Sequence, residues 1–264
     1  MISRKRRHSD GIEAFLSKKA LDLGIHSPVP LPLISPPHLA CFGTSGSGKT
    51  YASKLLLAKI SKHFNTCCVI SDYKSDIDFE FLKDEDFCFR YREVGRWFDL
   101  GMQLLSNRQL GVDQLRIPIV LFQDEMAAYF TSLTKKERDE RIHQLSQLLM
   151  LGRSFNIFVW ISQQRPDTEY FGKSRDNIGS KIVLGKISKE VLNMVFPDDK
   201  EEVTVQNPRG IGYVTIDGRG TEQIVCPKYN VAKAEQAILQ AVRRTAKYYS
   251  LQALLGEEDG AGEA

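Results

Sequence analysis

Eight consecutive residues, Gly43, Thr44, Ser45, Gly46, Ser47, Gly48, Lys49 and Thr50, combine three glycines with an amine and hydroxyls at a spacing suited to phosphate chemistry. The glycines let the backbone curl until successive N–H groups point inward at phosphate oxygens, while Lys49 reaches the β- and γ-phosphates and the Thr50 hydroxyl ligates magnesium. Further along, an apolar run ends in Asp124 and Glu125. Beside a phosphate loop, one carboxylate at such a place holds the magnesium shell and another orients and deprotonates an attacking water. Asp124 is assigned to the metal and Glu125 to the water, a pairing that favours hydrolysis of ATP over a small-molecule kinase, whose acceptor is a hydroxyl. Gln164, with Gln163 before it, closes the next apolar run, where a polar side chain can touch a γ-phosphate and report its loss. Arg153 opens that run eleven residues earlier, hence at the opposite sheet edge, roughly 30 Å away by strand rise. It cannot reach its own nucleotide. It either serves a neighbouring subunit's nucleotide as an arginine finger or complements a helix C-terminus.

These residues need a scaffold, and the flanking sequence supplies one. "HLACFG" reads as a short apolar strand entering the loop, and Leu55, Leu56, Ala58 and Phe64 recur at helical spacing after it. A helix N-terminus then lies under the phosphates with its partial positive charge. "TCCVISDYK", "RIPIVLFQDE" and "NIFVWISQQ" read as the next three strands, with a helical pattern from Lys136 to Leu151 before the last of them. Further strands are expected at "KIVLGKI", "GIGYVTI" and "TEQIVCP". Near-continuous apolar strands alternating with helices predict an α/β core with a mainly parallel sheet covered by helices on both faces, over residues 38–230. Residues 77–116 read as mixed and mostly helical. Ahead of the core, Asp10 and Glu13 have capping-box spacing, and Ile12, Phe15, Leu16, Ala20 and Leu23 form one face, predicting a short helix before Gly24. "SPVPLPLISPP" follows as an extended linker. Residues 1–37 are thus expected to form a basic arm, a short helix and a proline-rich linker, and residues 231–264 a final helix from Val231 to Leu255 with an acidic, disordered tail.

A chain of 264 residues suits one core domain with appendages. No apolar run approaches the ~18 residues that cross a bilayer, and no apolar region follows the basic start "MISRKRRHSD", so the expectation is a soluble, intracellular protein without an integral membrane segment. The five cysteines show no C-x-x-C spacing and read as buried, reduced thiols rather than metal ligands. The formal net charge of +3 includes a final "GEEDGAGEA" with acidic groups only, so the rest is distinctly basic and suits a polyanionic partner. The cluster Arg4, Lys5, Arg6 and Arg7 could clamp phosphates, touch an anionic membrane surface, or be a solvated tail.

Several motifs in order carry a resemblance. "LGRSFNIFVWISQQRPDTEY" resembles the G-R…T-Q-R-P segment of the FtsK/SpoIIIE branch of the FtsK/HerA DNA-translocating ATPases, and "SDYKSD" resembles its D-P-K segment. "GRSFNIF", "QQRPD", "RDN", "VLGKIS" and "RGIGYV" are most similar to FtsK-like proteins of Gram-positive conjugative transposons, over about residues 38–228. The resemblance implies a RecA-like P-loop NTPase core using ATP and Mg2+, and a homohexameric ring around double-stranded DNA. It further implies Arg153 as the finger supplied in trans and Gln164 as the γ-phosphate sensor. Tyr73 and Gln163 stand where the family has Pro and Thr. The transmembrane helices and winged-helix domain that some relatives carry are not expected here. Lys173 with Arg175, or Lys135, Lys136 and Arg138, are the basic groups expected either to grip DNA or to form solvated faces. The functional expectation is an ATP-driven motor moving duplex DNA in conjugative or plasmid transfer, with a transfer or packaging partner protein. Genome packaging into a capsid, protein secretion and a non-motor ATP-binding scaffold are the alternatives.

Overall fold

The computed structural model describes residues 11–32, 37–63 and 65–256, with the backbone alone for Thr168, Gly172 and Lys173. The chain runs β1 (Gly11–Ser17), α1 (Lys18–Asp22), β2 (Pro28–Pro32), β3 (Leu39–Phe42), α2 (Lys49–Ile60), β4 (Cys67–Asp72), β5 (Cys88–Arg90) and α3 (Val94–Gln109). It continues through β6 (Ile119–Asp124), α4 (Met126–Ser132), α5 (Lys135–Leu151), β7 (Ile157–Gln163), α6 (Thr168–Phe171), β8 (Ser180–Leu184), α7 (Lys189–Val195), β9 (Ile211–Ile216), β10 (Gly220–Val225), α8 (Val231–Tyr248) and α9 (Leu251–Leu255).

All ten strands form one sheet in the order β2-β1-β10-β9-β8-β3-β7-β6-β4-β5. From β8 to β5 every pairing is parallel, and from β2 to β8 every pairing is antiparallel. The parallel strands β4, β6 and β7 are buried along their whole length, as strands covered on both faces must be. Alternation along β6 sends Leu121 toward α3 and α5, where its methyl approaches Gly101 beside Leu148, and sends Phe122 the other way, against Phe79 beside Lys54 of α2. Asp124 shares the α2 side with Phe122. The α/β core is the one that the strand and helix pattern predicts, and its architecture is that of a RecA-like P-loop NTPase, as the resemblance implies.

Three local expectations are corrected. Residues 11–17 form a strand, not a helix: Ile12, Phe15 and Leu16 are buried between β10 on one side and β2 on the other. A register shift between Glu13 and Phe15 gives the segment the mixed spacing that imitates a helical face. Helix starts only at Ser17, whose hydroxyl accepts from the Ala20 N–H. The proline-rich stretch supplies β2, an edge strand, where missing N–H groups cost no ladder bonds. The final helix breaks at Tyr249, which is extended because its hydroxyl receives a bond from Arg108 at 2.7 Å and donates to Asp113 at 2.9 Å. Arg108 is fully buried and also donates to the carbonyls of Phe155, Asn156 and Ile117. In the 77–116 stretch, β5 extends the sheet between a 3-10 turn at Ile77–Leu82 and α3. Asp10, the Arg4 to Arg7 cluster and the acidic tail lie outside the described residues.

Candidate nucleotide site

The phosphate loop joins β3 to α2 as its sequence dictates. Gly43, Gly46 and Gly48 all take positive φ, conformations that suit glycine. At Gly43 a Cβ would stand 2.6 Å from both the Leu184 carbonyl oxygen and Ser47 Oγ. The loop is tied to the end of β7 and to the turn before β9: Gly43 N–H donates to Gln164 O at 3.3 Å, and Gly210 N–H donates to Ser47 O at 2.9 Å. Lys49 is buried and its Nζ donates to the Gly43 carbonyl at 2.7 Å, folded back across the loop that would hold the phosphates.

Strand order brings the predicted residues to one edge. β7 lies between β3 and β6, so the C-terminal ends of the phosphate-loop strand and the carboxylate strand flank the end of β7. Ligands bind at this kind of edge in an open α/β sheet. Asp124, 3% exposed, ends β6. Glu125 follows at φ 51, a left-handed conformation that turns the chain into α4 and costs a non-glycine residue of order 1 kcal/mol or more. Its carboxylate lies 3.0 Å from Lys74 Nζ and 3.9 Å from Lys49 Nζ. Burial lowers the Lys74 pKa, but the hydrogen bond to Glu125 and the charges of Glu125, Asp124 and Asp76 outweigh it and the net shift is upward. Burial pushes Asp124 up to about 7, and the neighbouring charges of Glu125 and Asp72 act in the same direction.

Gln164 directly follows β7 and is exposed beside the loop, while Gln163 is buried and its Nε2 donates to the Arg165 carbonyl. The geometry thus separates the two glutamines. Arg153 sits at the far end of β7 in a 3-10 turn, Gly152–Phe155, exposed; burial lowers the pKa of His38 at the base of β3, and the Arg153 charge adds to it. Arg108, through Phe155 O and Asn156 O, fixes that turn. The basic candidates part company too. Lys135 and Lys136 are exposed at the start of α5, Arg138 pairs with Glu169 at 3.4 Å, and Arg175 lines a separate recess with Lys181 and Asp217. The Lys173 side chain lies outside the described residues.

A cavity of about 410 Å³ opens over the loop, lined by Ser45, Gly46, Gly48, Lys49 and Thr50 and, on its other walls, by Tyr51, Lys54, Lys74, Asp76, Asp78, Arg209 and Val231. Four cations against two carboxylates suit a polyanion. Tyr51 packs on Tyr229 with ring centroids 4.2 Å apart, and Tyr229 N–H donates to the Tyr51 hydroxyl at 3.0 Å. Sequence reading gave Lys74, Arg209 and Tyr51 no role. The signals available were the place of Lys74 in "SDYKSD", two residues beyond a buried strand that ends at the same edge, and the place of Arg209 in "RGIGYV".

The donor set fits Mg2+. Thr50, in the first turn of α2, lines the cavity, and Asp124 is a buried carboxylate at the same sheet edge; a hydroxyl and a carboxylate are donors that suit this cation. Among the described residues no cluster of three or more His, Cys, Asp or Glu could hold a metal alone. The described cysteines are free thiols, buried except for half-buried Cys226. Among the described residues no helix is long and apolar enough to cross a membrane.

No protein-family model matches the sequence. The chain is 28% identical over 197 residues to the FtsK domain-containing protein YdcQ of Bacillus subtilis (strain 168), an alignment covering 68% of this chain and 41% of YdcQ. It therefore spans less than half the length of that relative. Its fold is similar to the monomer form of the pCW3 conjugation coupling protein TcpA with ATPγS, with a TM-score of 0.69 and 18% identity over 91% of this chain and 73% of TcpA. It is similar as well to the cytoplasmic domain of the Thermomonospora curvata type VII secretion ATPase EccC, with a TM-score of 0.65 and 17% identity over 91% of this chain and 31% of EccC. The chain is thus similar in sequence to an FtsK domain-containing protein and in fold to a conjugation coupling protein and a secretion ATPase.

Proposed function

We propose that the chain is an ATP hydrolase of the FtsK/SpoIIIE branch that moves double-stranded DNA in conjugative or plasmid transfer, acting on the cytoplasmic side as a homo-oligomeric, hexameric ring. The observation that carries the DNA reading is the similarity to an FtsK domain-containing protein across 68% of the chain. The hydrolytic half rests on the site itself, where phosphate loop, paired carboxylates and Gln164 meet at one sheet edge.

In this reading, loop N–H groups and Lys49 bind the triphosphate, and Lys49 exchanges its Gly43 carbonyl for phosphate oxygens. Thr50 and Asp124 hold Mg2+, which supplies charge neutralisation of the phosphates when bound. Lys74 holds the Glu125 carboxylate in place, so that Glu125 can accept a proton from an attacking water on the γ-phosphate side. Gln164 reports γ-phosphate loss, and Arg153 serves the neighbouring subunit's nucleotide. A second reading, protein secretion, is favoured by the fold similarity to EccC.

Steady-state ATP turnover with and without linear duplex DNA separates the two. DNA is expected to stimulate turnover several-fold in the wild type and not in Lys49→Ala, which should be inactive. Turnover that is indifferent to DNA overturns the DNA reading in favour of secretion. No turnover under assembling conditions overturns the hydrolase reading.

A further inference from the structure

The nucleotide cavity contains four cationic side chains, and three of them are already engaged. Lys49 donates to Gly43 O and faces Glu125, Lys74 pairs with Glu125, and Lys54 pairs with Glu235 at 2.8 Å over the rings of Phe79 and Phe81. Arg209 is exposed, lines the same cavity, and has no hydrogen-bond or ion-pair partner among the described residues.

The backbone that presents Arg209 is fixed. Gly210, at φ 77, donates its N–H to Ser47 O in the phosphate loop at 2.9 Å and accepts from Cys226 N–H at 2.8 Å. The turn closes with Ile211 N–H on Pro208 O at 3.1 Å. Asn207 before it donates to Thr204 O at 2.6 Å and accepts from Gln223 Nε2 at 3.1 Å. The turn lies directly over the mouth of α2: a Cβ built on Gly48 would stand 3.4 Å from Gly210 N and 3.6 Å from Arg209 Cγ. A guanidinium on a rigid turn above a phosphate cradle, with its donors unspent, is preorganised for an oxyanion.

We infer that Arg209 is a phosphate-binding residue of the same subunit's nucleotide site, closing over the polyphosphate chain from the turn above Gly48. This rests on the reading of the cavity as a nucleotide site. It gives the antiparallel half of the sheet a part in nucleotide recognition, since the turn leads straight into β9.

Equilibrium binding of Mg-ATP, Mg-ADP and adenosine to the full chain, measured calorimetrically, tests the inference, with Arg209→Ala, Arg209→Lys, Lys49→Ala and the exposed control Lys200→Ala. Loss of a charge-assisted phosphate contact should weaken ATP and ADP ten- to hundredfold in Arg209→Ala, with partial recovery in Arg209→Lys and adenosine binding unchanged. Because Arg209 has no protein partner to lose, the melting temperature without nucleotide should stay at the wild-type value while the ATP-induced rise shrinks. The inference is overturned if Arg209→Ala binds ATP like Lys200→Ala, or if adenosine weakens as much as ATP. If wild type and Lys49→Ala bind ATP indistinguishably, the nucleotide-site reading itself fails and takes the inference with it.

Discussion

His38 offers a stability test that needs no ligand. It sits at the base of β3, 2% exposed, and its Nδ1 accepts the Val159 N–H of neighbouring β7 at 3.0 Å. Burial, with the Arg153 charge acting in the same direction, lowers its pKa from 6.5 to about 4. A base whose folded pKa is depressed takes up a proton in the unfolded chain first. Between those two values the unfolded state binds more protons, so stability must fall as pH falls. At about 1.4 kcal/mol per pKa unit, the loss from His38 alone between pH 7 and pH 5 comes to about 2 kcal/mol, against a total stability of about 5–15 kcal/mol. Asp124, whose folded pKa is raised to about 7, acts with the opposite sign in the same window and would mask the effect in the wild-type profile. The difference between wild type and His38→Asn removes that mask, because Asn keeps an acceptor where Nδ1 stood and cannot titrate. Urea unfolding in magnesium-free buffer should show the wild type losing about 2 kcal/mol more than His38→Asn between pH 7 and pH 5. Two parallel stability curves would refute the assignment of a neutral, buried imidazole.

Two further predictions concern the chemistry. Lys74→Met removes the 3.0 Å partner of Glu125, and should lower kcat about 10- to 100-fold, the weight of one charge-assisted bond, while the KM for ATP changes less than about threefold; a matching rise in KM would mean that Lys74 binds substrate instead. Arg153→Ala should retain ATP binding and lose about 10³- to 10⁵-fold in turnover, and mixing it with Glu125→Gln subunits should restore activity by creating interfaces with both groups intact. If the mixture stays as inactive as its parts, Arg153 does not act in trans.

The core was legible because β3, β4, β6 and β7 are buried on both faces, so their sequences are continuous apolar runs that end in polar residues at the functional edge. Such runs place Lys49, Asp124, Glu125 and Gln164 at one edge from the sequence pattern alone. Residues 11–17 were misread because a bulged, two-face-buried strand and one side of a short helix share the same apolar spacing; the deciding fact, pairing with β10, lies some two hundred residues away in the chain. The break at Tyr249 was hidden for the same reason, since it depends on Arg108 and Asp113. Lys74 and Arg209 sit in loops, where no periodicity says which way a side chain points. Gln163 and Gln164 are adjacent and chemically identical, and only the end of β7 distinguishes the buried one from the exposed one.

In the proposed ring, β7 connects two nucleotide sites. Gln164 at one end is joined to its own subunit's phosphate loop through Gly43 N–H, and the Arg153 turn at the other end would face the neighbour's. Between them the strand is seven residues long, buried throughout, and hydrogen-bonded on both sides to β3 and β6. Such a strand resists bending, since any change of register would break two ladders and move buried side chains off their neighbours. In the proposed cycle, a displacement at Gln164 on γ-phosphate loss would therefore carry β7 together with its paired neighbours β3 and β6 and would not be absorbed within the strand. Arg108 then becomes part of the transmission, because it holds Phe155 and Asn156 and so fixes the direction in which the Arg153 turn can move. The sequence order of finger, strand and sensor is in this view a mechanical requirement: one rigid element must carry both, so that each subunit's hydrolysis state is felt next door.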